Sequence, residues 1–251
     1  MAGAIYIADD ESAEPTPSAE DLARAALTVA RRCASGGAVW CVAPRWPGHA
    51  RHVAVEFVHP VIVGKRALPA AAVEGPDLLG QLRLFCRSGD VLVALARADE
   101  PAVVSAMRRA GAWGIATVWI GLGPCPPAGA ADHVLWCGDG EDDAVHGGRF
   151  VLLYHLLWEL AHVCFEHPGL MKADDEGQAA RQGPTCITCA DEGRLAEVVE
   201  LVDGSAARVR TPVGVEEVDI TLVAGARAGD LVLVHAGAAL SMVQAEGGAV
   251  P

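Results

Sequence analysis

Residues 89–120 read GDVLVALARADEPAVVSAMRRAGAWGIATVWI, and this one stretch carries three elements in a row. Val91 to Leu95 is an apolar run of strand length set off by Gly89-Asp90, Pro101 to Ala110 reads as a helix, and Ile115 to Ile120 is a second apolar run. A strand, a helix and a strand in so short a span predict a parallel pair with a crossover helix, and hence a sheet covered on both faces. Working outward, Ser18 to Arg32 reads as a helix. Ser18 is placed to cap it, Glu20 and Asp21 favour its first turn, and Leu22, Ala26 and Val29 recur at helical spacing. Gly36-Gly37 ends it, Ala38 to Ala43 is a further strand, and a turn with Pro44, Pro47 and Gly48 leads into a helix from about His49 to Val58. On the other side, Val134 to Trp136 suits an edge strand, and Ala144 to Phe165 a long closing helix.

Beyond it the rhythm changes. From Gly169 to Thr185 the apolar periodicity stops, and the composition turns to Lys, Asp, Glu, Gly and Gln, which predicts a linker. Short strands follow at Arg194 to Val202, Ala206 to Thr211, Val215 to Val223 and Asp230 to His235, separated by Asp203-Gly204, Pro212 to Gly214 and Ala224 to Gly229. That pattern predicts a small all-β barrel. The expected organisation is an α/β sandwich over 1–168, a linker over 169–185 and a barrel over 186–251, with no internal repeat.

Composition bounds the function. The 251 residues are 52% hydrophobic and 20% charged, enough for a sizeable core, and 32 acids against 19 Lys and Arg give a net charge of -13. Clustered cations carry nucleic-acid affinity, so this balance argues against a DNA or RNA partner. Met1 to Ala8 lack a basic flank and the next twelve residues hold five acids and no base, unlike a secretory signal. The longest apolar stretch, Phe150 to Phe165, is short for a bilayer and contains His155, Glu159 and His162. A cytoplasmic protein without a membrane partner is expected, its eight cysteines mostly reduced.

Cys186-Ile-Thr-Cys189 stands just before the first barrel strand, and Gly229-Asp-Leu-Val-Leu-Val-His-Ala-Gly-Ala-Ala-Leu240 lies near the end. By itself a CxxC can pack or form a disulfide, and a structural zinc site would need a second pair that this chain lacks. Together, over about Cys186 to Val243, the two segments resemble the HypC/HupF family of nickel–iron hydrogenase assembly chaperones. That family's β-barrels carry a Cys close to their start and end on a "GDYVLVHAGFAI"-like segment. The resemblance implies help in building the Fe(CN)2CO group with an iron–sulfur scaffold protein of the HypD type, and its delivery to the hydrogenase large-subunit precursor. By position Cys186 matches the family's iron-ligating cysteine. Cys189 stands beside it, and His235 falls in the closing motif. A thiolate suits a soft, low-spin iron fragment. In the family the cysteine follows the initiator Met, whereas here it is internal.

Ser35 to Cys41, the turn after it, His52 with Glu56, Gly89 to Leu95 and the helix bearing His155 resemble a sugar-isomerase (SIS) domain of the sedoheptulose 7-phosphate isomerase type, over about residues 18–168. That family grips a sugar phosphate with a Gly-rich turn ending in Ser and a second loop rich in Ser and Thr. A His-x3-Glu helix and a later His supply metal ligands and acid–base groups. Here the turn reads Ala43-Pro-Arg-Trp-Pro47, with Trp46 at the Ser position, and the second loop reads Ala96-Arg-Ala-Asp-Glu100, whose carboxylates repel phosphate. Arg45 and Arg97 are the remaining candidate anion contacts. His52 and Glu56 lie on one helix face at i and i+4, the spacing of an ordinary surface ion pair. With His155 they also make a donor set for a divalent metal, zinc by ligand type. A fourth ligand is sought among His146, Glu159 and His162, since the family's Gln falls near Gly147. The acids Asp139 to Asp143 read as a solvated loop.

The sequence thus predicts an accessory of hydrogenase maturation with a degenerate SIS-like α/β domain that oligomerises, as SIS domains commonly do. The rival is a phosphosugar isomerase with a β-barrel appendage.

Overall fold

A computed structural model describes residues 17–138, 148–172 and 193–243. The described chain opens with helix α1 (Ala19–Ala34), where Ser18 Oγ accepts the Asp21 N–H at 3.0 Å and also donates to the Asp21 carboxylate. Such a cap is worth about 1 kcal/mol. The α/β unit continues through β1 (Val39–Val42), α2 (Pro47–Val58), β2 (Ala70–Ala72), α3 (Leu78–Phe85), β3 (Val91–Leu95), α4 (Pro101–Ala110), β4 (Ala116–Gly121), β5 (His133–Trp136), α5 (Gly148–Glu166) and the short α6 (Gly169–Lys172). Its sheet is parallel throughout, in the order β2-β1-β3-β4-β5.

The central strands are buried on both faces, which is why their sequence is continuously apolar rather than alternating. On β3, Val91, Val93 and Leu95 join the core under α1, α2 and α5, while Leu92 and Ala94 join the core under α3 and α4. Buried Asp90 ties the sheet's lower end together by accepting from Ala38 N, Trp40 Nε1 and Arg87 N at 2.8–2.9 Å.

Three elements of this unit add to the expected order. Strand β2 is Ala70-Ala-Ala72, without the β-branched residues that mark a strand, and its place comes from its register against Val39 to Cys41. Helix α3 precedes the expected second unit and is capped by Asp77, which accepts the Gly80 N–H at 2.9 Å. Helix α6 occupies the first four residues of the stretch read as linker, and Arg31 Nε donates to Met171 O at 3.2 Å. The remainder of that stretch, the start of the expected closing helix at 144–147 and the acidic run 139–143 lie outside the described residues.

The second unit is a closed five-stranded barrel of β6 (Arg194–Leu201), β7 (Ala206–Thr211), β8 (Gly214–Asp219), β9 (Leu231–His235) and β10 (Ala238–Met242). Ala196, Val198, Val209, Val218, Val232 and Val234 fill it. The strand expected to run from Val215 to Val223 stops at Asp219, whose carboxylate accepts from Thr221 N and Oγ1 at 2.7 Å and bends the chain into a 3-10 turn. Strand β10 is the fifth strand, beyond the four expected; it pairs with β9 across the two-residue turn Ala236-Gly237, both at positive φ (49° and 81°).

The barrel seats on the lower end of the sheet, where α3 and α4 finish. Glu197 of β6, only 2% exposed, is the contact there. Its carboxylate accepts from Trp113 Nε1 at 2.8 Å, from Arg109 Nε at 3.2 Å and from Arg83 Nη2, while Arg109 Nη2 donates to Gly229 O at 2.9 Å. Leu195 and Leu231 extend from the barrel into the core of the α/β unit. At the same seam Gly114 (φ 72°) passes so close to Pro212 and Ser88 that a Cβ would lie 2.4 Å from Ser88 Oγ.

Breaking a buried charge pair by removing one partner costs about 3–5 kcal/mol. Both arginines here retain some solvent, so Glu197→Ala should cost less, about 2 kcal/mol. Urea unfolding followed by circular dichroism should show one transition in the wild type and two in the variant; a single, unshifted transition would contradict this account of the seam.

Candidate metal centre

The crevice of a doubly wound sheet opens where strand order reverses, here between the upper ends of β1 and β3. Four residues, 43–46, separate β1 from α2, which begins with Pro47 at its first turn. Trp46, at the helix cap, is 8% exposed and meets Phe150 edge-to-face at 5.7 Å, so the ring standing at the Ser position belongs to the core. On the neighbouring loop Glu100 accepts the Arg97 N–H at 3.2 Å, and Arg45 Nε lies 4.0 Å from the same carboxylate. Arg97 Nε is 3.8 Å from Asp99. Both arginines proposed as anion contacts therefore already face carboxylates of the second loop. Burial pushes the Glu100 carboxyl above the usual range, opposed by the Arg97 N–H and the Arg45 charge.

One turn further along α2, His52, Glu56 and His155 come together. Their donor atoms all lie within 4.8 Å of one another. Glu56 Oε1 is 3.4 Å from His52 Nε2 and 3.9 Å from His155 Nε2, and the two imidazole rings meet at 5.0 Å. His155 Nδ1 is 2.8 Å from Val151 O. That contact assigns the proton to Nδ1 and leaves Nε2 with a lone pair for a ligand, the usual arrangement of a metal-binding histidine. Trp158 Nε1 donates to Glu56 O at 2.7 Å and locks α2 to α5 behind the cluster. Tetrahedral zinc holds donors about 3.3 Å apart at bonds of about 2.0–2.1 Å, so side-chain rotation suffices to close these three around an ion.

The sequence reading did not find Tyr154. Its ring stacks on His155 at 4.9 Å and its hydroxyl lies 3.2 Å from His49 Nδ1. Burial, then the Glu56 charge, raises its phenol. The signal was available: His49, His52 and Glu56 share one face of α2, opposite Phe150 and Tyr154 at i and i+4 on α5.

The fourth-ligand candidates fall away among the described residues. Glu159 pairs with Lys65 Nζ at 3.1 Å. Buried His162 has Nδ1 2.9 Å from Trp158 O and Nε2 2.9 Å from Arg66 O, so main-chain carbonyls face both ring nitrogens and neither points to the cluster. His146, Cys186 and Cys189 lie outside the described residues. His235 ends β9, whose Val234 pairs with Arg194, so it stands where the chain carrying the two cysteines joins the barrel.

The first unit has the fold of the sugar-isomerase (SIS) class. A phosphoheptose isomerase from Francisella tularensis superimposes with a TM-score of 0.51 at 17% identity, over 60% of this chain and 87% of that one. A phosphoheptose isomerase from Neisseria gonorrhoeae gives 0.47 at 17%, over 57% and 85%. A comparison with curated proteins returned no match. Residues 195–249, which hold the barrel, match the model of the HupF/HypC family. The chain thus joins a barrel that matches the HupF/HypC model to a unit with an SIS-like fold.

Glu100 provides a test of the crevice. Its folded-state carboxyl binds a proton more tightly than the unfolded one, so its contribution to stability is full at low pH and is lost as pH rises through the raised value. Glu100→Gln should therefore match the wild type near pH 4 and exceed it at pH 7 in urea unfolding. A constant difference across that range would contradict the assignment.

Proposed function

We propose that this chain is an accessory protein of nickel–iron hydrogenase maturation. Its barrel takes the Fe(CN)2CO fragment as cargo through Cys186, with Cys189 and His235 beside it, in contact with a HypD-type iron–sulfur scaffold and the large-subunit precursor. Such work takes place in the cytoplasm. The observation that carries the reading is the family match over 195–249, which includes the closing segment Gly229 to Leu240. The position of the cysteines supports it: Cys189 is four residues from Gly193, within about 14 Å at full extension, and His235 stands at that same end of the barrel.

The α/β unit acts as a platform. His52, Glu56 and His155 hold a divalent ion of zinc type, for which their donor set fits, and the outer faces of α2 and α5 pair with a second copy. Exposed Val55, Leu152 and Leu156 on those helices support that pairing. An isomerase reading draws on the same fold and the same three residues. Against it stand a Trp buried where the phosphate hydroxyl belongs and a second loop whose Asp99 and Glu100 engage Arg97 and Arg45.

Replacing Cys186 by Ala should abolish hydrogenase activity in a strain that depends on this protein, with the barrel still folded. A Cys186→Ala/Cys189→Ala double variant tests whether the second thiol shares the load, and wild-type hydrogenase activity from the double variant would sink the carrier role. For the platform, elemental analysis of protein purified without added metal should find about one divalent ion per chain, lost in His155→Ala. Less than about 0.2 equivalents would return His52 and Glu56 to an ordinary helix ion pair.

A further inference from the structure

A cavity lined by both polar and apolar side chains lies where the barrel meets the α/β unit, at the opposite end of the sheet from the His52 cluster. It is a cleft of about 290 Å³, and Arg83, Arg87 and Ser88 line it from one side and Arg210 and Val213 from the other. Among the described residues no carboxylate lines it. Of the acids nearby, Glu197 is committed to Arg83, Arg109 and Trp113, and Asp90 to three N–H donors. Glu197 and Asp90, whose N–H donors leave its charge in place, therefore set two carboxylates against four arginines (Arg83, Arg87, Arg109 and Arg210), in a chain whose net charge is -13. Arg210 Nε is shut off from solvent and makes no hydrogen bond in the described structure. Like charges gathered beside low-dielectric walls repel one another, and a guanidinium with an unused buried N–H costs free energy. An anion removes both costs.

The geometry points to a phosphorylated small molecule as the ligand of this cleft, its phosphoryl group held by Arg87 and Arg210 with help from Arg83 and the Ser88 hydroxyl. A carboxylate carries one charge and two oxygens, enough for a single guanidinium fork. A phosphate monoester carries about two charges and three acceptor oxygens, which suits several guanidinium groups at once. Leu82, Val213 and Val215 give the cleft an apolar side for the ligand's carbon body. Arg87 follows α3, and Arg210 lies on β7, so the bound phosphoryl group bridges the two units and holds the barrel in its seat. This inference does not depend on the maturation reading.

Isothermal titration of the full chain with inorganic phosphate and with glycerol 3-phosphate, at matched ionic strength in chloride, tests it. One saturable site per chain is expected, weakened at least about tenfold in Arg87→Gln and in Arg210→Gln and unchanged in Arg45→Gln/Arg97→Gln. Arg87 is exposed, so its variant folds irrespective of the ligand and decides the matter alone if Arg210→Gln does not fold. Bound phosphate should also raise the urea midpoint of unfolding. The proposal fails if no saturable site is found, if acetate binds as tightly as phosphate, if binding survives Arg87→Gln, or if it disappears only when Arg45 and Arg97 are changed.

Discussion

Glu197 is a carboxylate sunk at a domain seam, and its desolvation has to be met there by donors that belong to the other unit. Trp113, Arg109 and Arg83 reach it from the ends of α3 and α4 and from the turn between α4 and β4. Because the three donors come from different elements, one barrel orientation satisfies them together, whereas an apolar contact alone would tolerate sliding. Leu195 and Leu231 then bury against the sheet's second core. The seat fixes which end of the α/β unit the barrel covers. That end is the lower one, and the crevice over β1 and β3 stays open above.

The two halves therefore divide their chemistry by position. The upper end holds a cluster of two imidazoles and a carboxylate braced by Trp158 and Tyr154, beside a crevice whose loops have turned inward on themselves. Trp46 fills core space, and Glu100 serves its own loop as a backbone acceptor. The two loops over the crevice thus carry bulk and negative charge, while α2 and α5 stay locked together beneath them.

What could be read from sequence was what rests on local periodicity. Ser18 caps α1 as its neighbours dictate, and Val91 to Leu95 and Pro101 to Ala110 match their elements residue for residue. His52 and Glu56 are one turn apart by helical geometry, and the closing-helix histidine meets them, so this juxtaposition was legible too. Strand β2 was not, because three alanines carry no strand signal and only register with β1 makes them one. The end of β8 was missed because Asp219 reads as an outward polar residue until its bonds to Thr221 are seen. Glu197 was hidden for the same reason: in Arg194-Leu-Ala-Glu-Val it looks like a solvated position, and its partners lie 84 to 114 residues away in sequence.

The chain between α6 and β6 is anchored at both ends. Met171 is held by Arg31, and Gly193 leads directly into the barrel wall. The two cysteines therefore lie within a stretch tethered at both ends and not at a free end. Any partner that docks on this stretch has to admit backbone running in and out, so its groove must be open on two sides rather than a blind socket. The cysteine also brings no terminal amine. A positive charge beside that thiol therefore has to come from another side chain or from a bound partner.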